Sequence, residues 1–235
     1  MNGINLSDKY HLADRQVEVT EPFVAGATGA WAAVAASGTV AALNERGGGV
    51  SILTQAADNA LGSVTLSAKP ILVDANKPVS FSALIQFAEA ATNVGNVYVG
   101  MSSSAVAATL GNDGAGPASS YSGVGLYKVD GSLNWFAEFS NGATQNTIEL
   151  NSAASLNKVA QVAGAAAQQL IEIDVLPKTS TTCDVIFKIN RITVAKMMDQ
   201  VFTSMVAMAP LATIRSGSTT AETLKVYQIK FAQVL

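Results

Sequence analysis

The sequence predicts an all-β protein, folded as an antiparallel β-sandwich or barrel. First, alternation of apolar and polar residues with a period of two recurs from residue 16 to residue 234. Second, the alternating runs are rich in Val, Ile, Thr and aromatic residues and are bounded by Gly, Pro, Asn and Asp. Third, a length of 235 residues suits one large sandwich domain. Many short strands separated by turns are typical of sandwiches and barrels.

The predicted strands follow one another along the whole chain. Two of the turns between them are specific. Asp130-Gly131 joins two runs and supplies the positive φ values of a hairpin. Asn190-Arg191 joins two more, with Asn tolerating the left-handed conformation. The alternating runs cover residues 16–24, 49–54, 63–69, 79–87, 96–102, 121–129, 133–139, 146–150, 169–176, 183–195 and 222–234.

Four segments are less regular. The Gly and Pro content of residues 102–120 predicts an exposed loop at one end of the sandwich. The Ala-rich residues 154–170 favour a helical turn or two. Residues 26–38 are ambiguous, and we favour a strand near Trp31. The weak periodicity near the N-terminus predicts an arm over residues 1–24, followed by a single β-sandwich domain over residues 25–235.

Composition limits the classes of function. Hydrophobic residues make up 49% of the chain and charged residues only 13%, against a usual charged share of about 25%. Such a surface suits a protein packed against neighbours, and a stable secreted domain with Ser/Thr-rich faces explains it equally well. The net charge is −3 with no basic stripe, which predicts no nucleic-acid binding. No run of about 18 apolar residues and no signal peptide is evident, so we expect no membrane span and synthesis in a cytoplasm.

The inventory of reactive side chains argues against most catalytic sites. Cys183 is the single cysteine, which excludes an intrachain disulfide and a Cys-based zinc site. Its alternating context predicts a small buried side chain. His11 is the only histidine and lies in the predicted arm, so a Ser-His-Asp or Cys-His arrangement has no positioned base. We therefore expect no catalytic residue, no cofactor and no metal site.

The stretch IEIDVLP, residues 171–177, raises the question of glycoside cleavage. On a strand, Glu172 and Asp174 share one face. Glycosidases need two carboxylates about 5–10 Å apart, and laminarinase-like sandwiches supply a second Glu two or three residues after the Asp. Here those positions hold Leu176 and Pro177. The pattern predicts a solvated strand face and not a catalytic pair.

Glycan binding without catalysis has its own candidates. Lectin sandwiches use an exposed aromatic residue beside Asp and Asn near loop tips. Tyr121, Asp130, Asn134 and Trp135 cluster in sequence around one hairpin. The alternating register places Trp135 on the same face as Leu133, which favours a core position for the indole over a sugar platform.

The order of these motifs resembles a known family. The segment KPVSFSALIQFAEAATNVGNVYVGMSS, with its V-x-V-G strand at Val97–Gly100, resembles the paired central strands of concanavalin-like jelly rolls in bacteriophage virion proteins. Asn190-Arg191 departs from the family's usual Asn-Gly or Asp-Gly turn. The resemblance covers about residues 70–234, and its hairpin motif K-x-D-G-x-x-N falls on Lys128, Asp130, Gly131 and Asn134.

The resemblance implies a non-enzymatic capsid decoration (cement) protein. Such a protein docks on the exterior of the virion capsid, binds the major capsid protein or other virion proteins, and is often a homotrimer. We expect the arm to contribute contacts, with Tyr10, His11, Leu12, Val17 and Val19 as the candidate interaction residues.

Two other functions compete with capsid decoration. A lectin-like module of a tail or fibre protein shares the fold and is the main alternative, because fold does not decide function. A remnant glycosidase is disfavoured by the missing carboxylate. The two functions differ in what can be observed. A decoration protein should be multimeric and bind a capsid lattice, whereas a lectin should bind free sugar.

Overall fold

The structure of the chain is a computed structural model. It describes residues 16–21, 31–35, 37–45, 48–89, 94–104, 109–112, 114–151, 156, 163 and 165–234.

The described residues form two antiparallel sheets, which confirms the predicted all-β class. The strands are β1 (Gln16–Glu21), β2 (Trp31–Ala35), β3 (Gly38–Ala42), β4 (Val50–Thr54), β5 (Leu61–Leu66), β6 (Val79–Ala88), β7 (Gly95–Ser102), β8 (Ser122–Lys128), β9 (Phe136–Asn141), β10 (Gln145–Glu149), β11 (Ala165–Pro177), β12 (Thr182–Ile189), β13 (Ile192–Val201), β14 (Ala209–Ser216) and β15 (Thr223–Val234).

Within the described residues, one sheet (sheet A) has eight strands and the other (sheet B) has seven. Sheet A has the order β13-β12-β11-β6-β15-β4-β3, with β1 also paired to β15. Sheet B has the order β10-β9-β8-β7-β14-β5-β2. The chain crosses between the two sheets several times, whereas β3–β4, β7–β10 and β11–β13 are consecutive strands within one sheet. One apolar core fills the space between the inner faces and includes Phe81, Phe139, Trp135 and Phe187. Within the described residues, no helix is long and apolar enough to cross a membrane.

Sheet A follows the alternation of the sequence. In β11, Ile171, Ile173 and Val175 are fully buried, whereas Glu172 and Asp174 point to the outer face and are partly exposed. Strands β6 and β12 alternate in the same way. The predicted wet strand face is confirmed, because a period of two places successive side chains on opposite faces.

Sheet B departs from this pattern. Every residue of β7, β8 and β14 is buried, on both faces. The outer face carries a second apolar cluster, in which Leu110 and Tyr121 pack on the sheet. The segment 102–120, predicted as an exposed loop, is therefore corrected in part: Thr109 and Leu110 are buried, because an outer face bearing aromatic side chains needs an apolar cover.

Several local predictions are decided by the structure. Asn190 and Arg191 have φ values of 53° and 68°, the double positive φ of a type I′ hairpin turn. Trp31 lies in β2 and is buried, as expected. Residues 165–170 belong to β11 and not to a helical turn. The rest of that Ala-rich segment lies largely outside the described residues.

Part of the predicted arm belongs to sheet A. Residues 16–21 form β1, whose Val19 pairs with Phe231 of β15 and packs against the core. Val17 pairs with Gln233 through the backbone. On the outer face, Glu18 forms an ion pair with Lys230 at 2.6 Å. Tyr10, His11 and Leu12 lie outside the described residues.

Candidate functional site

The outer face of β11 carries the carboxylates that first suggested catalysis. Glu172 and Asp174 line a recess of about 210 Å³ together with Ser80, Ser82 and Lys230. Asp174 accepts a hydrogen bond from Lys188 Nζ at 2.7 Å, and this bond raises the pKa of Lys188.

No second carboxylate follows in the strand. Leu176, the next residue on this face, is 41% exposed, and Pro177 ends β11. An acid–base pair of the laminarinase type is therefore absent from β11.

The outer face of sheet B is a tyrosine layer made possible by glycine. A Cβ on Gly123 would lie 2.1 Å from Tyr121 Cε2, and a Cβ on Gly125 would lie 2.5 Å from Tyr98 Cζ. The alternate glycines of β8 thus leave space in which both rings approach the backbone closely. Tyr98 and Tyr121 meet edge to face at 6.4 Å between ring centroids, an arrangement that aromatic quadrupoles favour.

A buried carboxyl group lies beside this layer. Glu138 is 2% exposed. Its Oε1 accepts from the Tyr121 hydroxyl at 2.6 Å and from Gln145 Nε2 at 3.2 Å, and its Oε2 accepts from Thr147 Oγ1 at 3.2 Å. Burial raises the pKa of Glu138, and the three hydrogen bonds lower it. Gln145 Nε2 also donates to Ala118 O at 2.6 Å, so the network binds the covering loop to the sheet.

Two of the four candidate glycan-binding residues are too buried to contact a sugar. Trp135 is fully buried and donates from Nε1 to Gln169 Oε1 at 3.1 Å. Tyr121 is 2% exposed. The core position favoured for Trp135 by the sequence is the one observed. Asn134 is partly exposed but donates from Nδ2 to Glu149 Oε1 at 2.7 Å on β10.

Asp130 is the remaining candidate, and it lies where three loops meet at one end of the sandwich. Its backbone N–H donates to Asn96 Oδ1 at 2.8 Å. A Cβ on Gly114 would lie 2.9 Å from Asp130 O, and a Cβ on Gly217 would lie 2.9 Å from Asp130 Cγ. Gly217 N in turn donates to Val94 O at 2.6 Å. We call Asn96, Gly114, Asp130 and Gly217 the Asp130 junction.

The junction contains polar atoms without partners. The carboxylate of Asp130 is partly exposed and, in the described part of the chain, accepts no hydrogen bond and forms no ion pair. Asn96 is 1% exposed, and its Nδ2 has no hydrogen-bond partner. Buried polar atoms are nearly always paired, so the unpaired Asn96 amide group calls for an explanation.

Sequence reasoning identified Asp130 but missed Asn96, Gly217 and Glu138. Asn96 and Asp130 are 34 residues apart, and only strand pairing brings them together. Glu138 occupies an ordinary polar position of an alternating strand. Gly123 and Gly125 were the available signal, since glycine at every second strand position indicates close approach to one face.

The fold is that of lectin-type, concanavalin-like jelly rolls. No family model and no curated protein matches the chain. Among solved structures, the Emp47p carbohydrate recognition domain is 14% identical, with a TM-score of 0.56 over 86% of this chain and 87% of that one.

Two further structures show the same architecture. An endo-1,3-β-glucanase from Streptomyces sioyaensis is 9% identical, with a TM-score of 0.60 over 94% of this chain and 97% of that one. Peanut lectin is 13% identical, with a TM-score of 0.53 over 93% of this chain and 97% of that one. Identities this low establish the fold alone. In the part of the chain that the structure describes, no three His, Cys, Asp or Glu residues gather in a metal-binding group.

Proposed function

We propose that the protein is a non-enzymatic, lectin-like module that binds glycans at the Asp130 junction. The observation that carries this proposal is the partly exposed Asp130 carboxylate, which has no partner among the described residues and whose backbone N–H is held by Asn96 Oδ1. A sugar hydroxyl donates a hydrogen bond, so it is a suitable partner for a carboxylate oxygen. Hydrogen bonds to an ionised carboxylate are about twice as strong as neutral ones.

The construction of the junction favours binding over mobility. The bond from Asp130 N to Asn96 Oδ1 and the bond from Gly217 N to Val94 O tie the loops to one another. A binding group held rigid before the ligand arrives loses less entropy on association. The two glycines add no side chain that would shield the carboxylate.

The fold comparisons support the proposal as an analogy. Two of the reported neighbours are, by their titles, a carbohydrate recognition domain and a lectin, and the third is a glucanase. All three are carbohydrate proteins, whether they cleave or only bind. The absence of a second carboxylate in β11 supports binding without cleavage here.

The test is retention on immobilised mannose, immobilised galactose and immobilised β-1,3-glucan. We expect the wild-type chain to be retained on at least one of the three. Asp130→Asn should weaken affinity about tenfold or more, the worth of a hydrogen bond to a charged group. Asp174→Asn, which removes a carboxylate from the outer face of sheet A, is the matched control and should bind as the wild type does. Equal retention of both variants, or no retention of the wild type, contradicts the proposal.

A second candidate function is capsid decoration, as the sequence resemblance implies. Its support is a charge-poor surface, 13% charged residues, together with exposed apolar side chains at the edge strand β13 and just beyond it. In this function the chain would be a homotrimer on the exterior of the virion, bound to the major capsid protein. The exposed apolar residues are Ile192, Met198, Val201 and Val206.

Decoration has a different test. Light scattering across a concentration range should give a trimer, and the chain should sediment with assembled phage heads. A chain that is monomeric and stays in the supernatant contradicts decoration and leaves the glycan proposal unaffected.

A further inference from the structure

A buried ion pair lies directly beneath the Asp130 junction. The Lys128 side chain is fully buried, and its Nζ contacts Glu89 Oε1, itself in a side chain only 6% exposed. The same Nζ donates to Gly95 O at 2.8 Å and to Val129 O at 3.2 Å. Glu89 Oε1 accepts in turn from Gly95 N at 3.2 Å. An ammonium group has three donors, and these three acceptors satisfy all of them.

The acceptors are placed immediately before the binding residues. Gly95 precedes Asn96, and Val129 precedes Asp130. One ammonium group therefore fixes two backbone segments that come from different strands. Lys128 Nζ lies 5.9 Å from the Phe87 ring centroid, and a Cβ on Gly95 would lie 2.5 Å from Phe87 Cζ. The Phe87 ring therefore lies close to both Lys128 and Gly95 and restricts movement of the backbone there. We call the contacts of Lys128 with Glu89, Gly95 and Val129 the Lys128 clamp.

Stability alone does not account for a charge pair in this place. Replacing a buried ion pair with apolar side chains of similar volume is often neutral or stabilising. A hydrophobic pair in the same space would fill the core equally well but would donate no hydrogen bond to either carbonyl. The ammonium group adds a direct link between the carbonyls of Gly95 and Val129.

We propose that Lys128, held by Glu89, is a positioning residue that fixes Asn96 and Asp130 in the geometry required for ligand binding. This inference rests on the proposed function for the role of the junction. Lys128 touches no ligand, because its side chain is enclosed; it acts through the carbonyls of Gly95 and Val129.

The test separates positioning from stability with a compensated variant. Lys128→Met alone removes the cation that pairs with the buried Glu89 carboxylate and should lower the midpoint of urea unfolding. The double variant E89L/K128M restores an apolar pair, and its midpoint should return toward the wild-type value. In that double variant the amide hydrogen of Asp130 should exchange at least about tenfold faster, while the amide of Ile173 in β11 keeps its protection. Lys188→Met removes a partly exposed lysine and is the control for lost charge.

Each outcome decides the matter. If the Asp130 amide hydrogen exchanges as slowly in the double variant as in the wild type, the positioning role is refuted. It is also refuted if the amide hydrogens of Asp130 and Ile173 both exchange faster, because the effect is then global. If the double variant does not fold, Glu89→Gln keeps an acceptor for Gly95 N and should show the same local effect, smaller in size; no change at Asp130 then refutes the role.

Retention on the three sugar matrices distinguishes the two proposals. A wild-type chain retained on none of them refutes the proposed function, and hydrogen exchange still reports on the clamp. A double variant that binds as tightly as the wild type refutes positioning alone.

Discussion

Tyr121→Phe probes the buried network that fastens the covering loop to sheet B. The substitution removes one oxygen and keeps the ring, so the packing over Gly123 is unchanged. The lost hydrogen bond runs from the Tyr121 hydroxyl to Glu138 Oε1 at 2.6 Å. Bonds to a charged group contribute about 1.5–3 kcal/mol, and neutral ones about 0.5–1.5 kcal/mol. We expect a loss of about 1.5–3 kcal/mol at pH 8 and a smaller loss near pH 4, because a charged Glu138 carboxyl group accepts the stronger hydrogen bond and high pH favours the charged form.

The pH dependence has a definite sign. Burial raises the pKa of Glu138, and the bond from Tyr121 opposes that rise. Removing the bond therefore raises the pKa of Glu138 further, so Tyr121→Phe should be most costly at high pH. For a chain of 235 residues, each kcal/mol lowers Tm by about 2–4 °C, which predicts a drop of about 3–12 °C at pH 8.

The assay is urea unfolding at both pH values for Tyr121→Phe, Glu138→Gln and the double variant. Two groups in direct contact should show a coupling energy of about 0.5–3 kcal/mol. Tyr98→Phe is the matched control, because the Tyr98 hydroxyl donates to the neutral Met101 O at 2.9 Å, and its cost should depend on pH less than that of Tyr121→Phe. A coupling energy near zero, or equal losses for Tyr121→Phe at both pH values, would refute the account of this network.

Three further predictions follow from the same contacts. Because the pKa of Glu138 is raised on folding, the stability it contributes is fully present below its ordinary pKa of about 4.5 and is lost as the pH rises through the folded-state pKa; Glu138→Gln should flatten that part of a Tm-against-pH profile. Asp174→Asn breaks a partly exposed ion pair with Lys188 and should change the free energy of unfolding by less than about 1 kcal/mol. Gly100→Ala places a Cβ 2.3 Å from Val124 O, a backbone atom, so strands β7 and β8 must separate and calorimetry should show a loss of about 1–3 kcal/mol.

The sequence predicted sheet A well because that sheet has one dry face and one wet face. In β11, Ile173 is buried and its neighbours Glu172 and Asp174 are partly exposed. In strands of this kind the alternation of apolar and polar residues indicates which side chains face the core. The Asn190-Arg191 turn was predictable for a similar reason, since its positive φ values depend on local residue type.

Sheet B was harder to predict because its outer face is not wet. In β8, the outer positions Gly123 and Gly125 carry no side chain to classify as apolar or polar. The tyrosines that fill the space come from β7 and from the end of the covering loop. A period of two reveals which residues share a face, but it does not reveal that a distant segment will cover that face. The same limit explains why residues 102–120 were expected to be exposed.

The Asp130 junction shows the corresponding limit for function. Asp130 was predicted from its hairpin, which is a local sequence feature. Its partner Asn96 and the supporting pair of Glu89 and Lys128 are different, because their positions depend on the antiparallel register of β7 with β8. In that register Val97 faces Lys128. Functional residues that strand pairing brings together from distant parts of the chain have no fixed spacing in the sequence, so no motif identifies them.

The distribution of burial indicates where a ligand can be bound. The outer face of sheet B, at Tyr98, Tyr121 and Glu138, is closed by its own covering loop. The outer face of sheet A is open; Asp174 there is paired with Lys188, and Glu172 Oε2 has no hydrogen-bond partner but is enclosed. At the loop end, Asp130 retains an unpaired carboxylate on a backbone that a buried ammonium group holds in place. A binding site requires both an available polar group and a rigid support for it, and the Asp130 junction provides the two together at an exposed loop end.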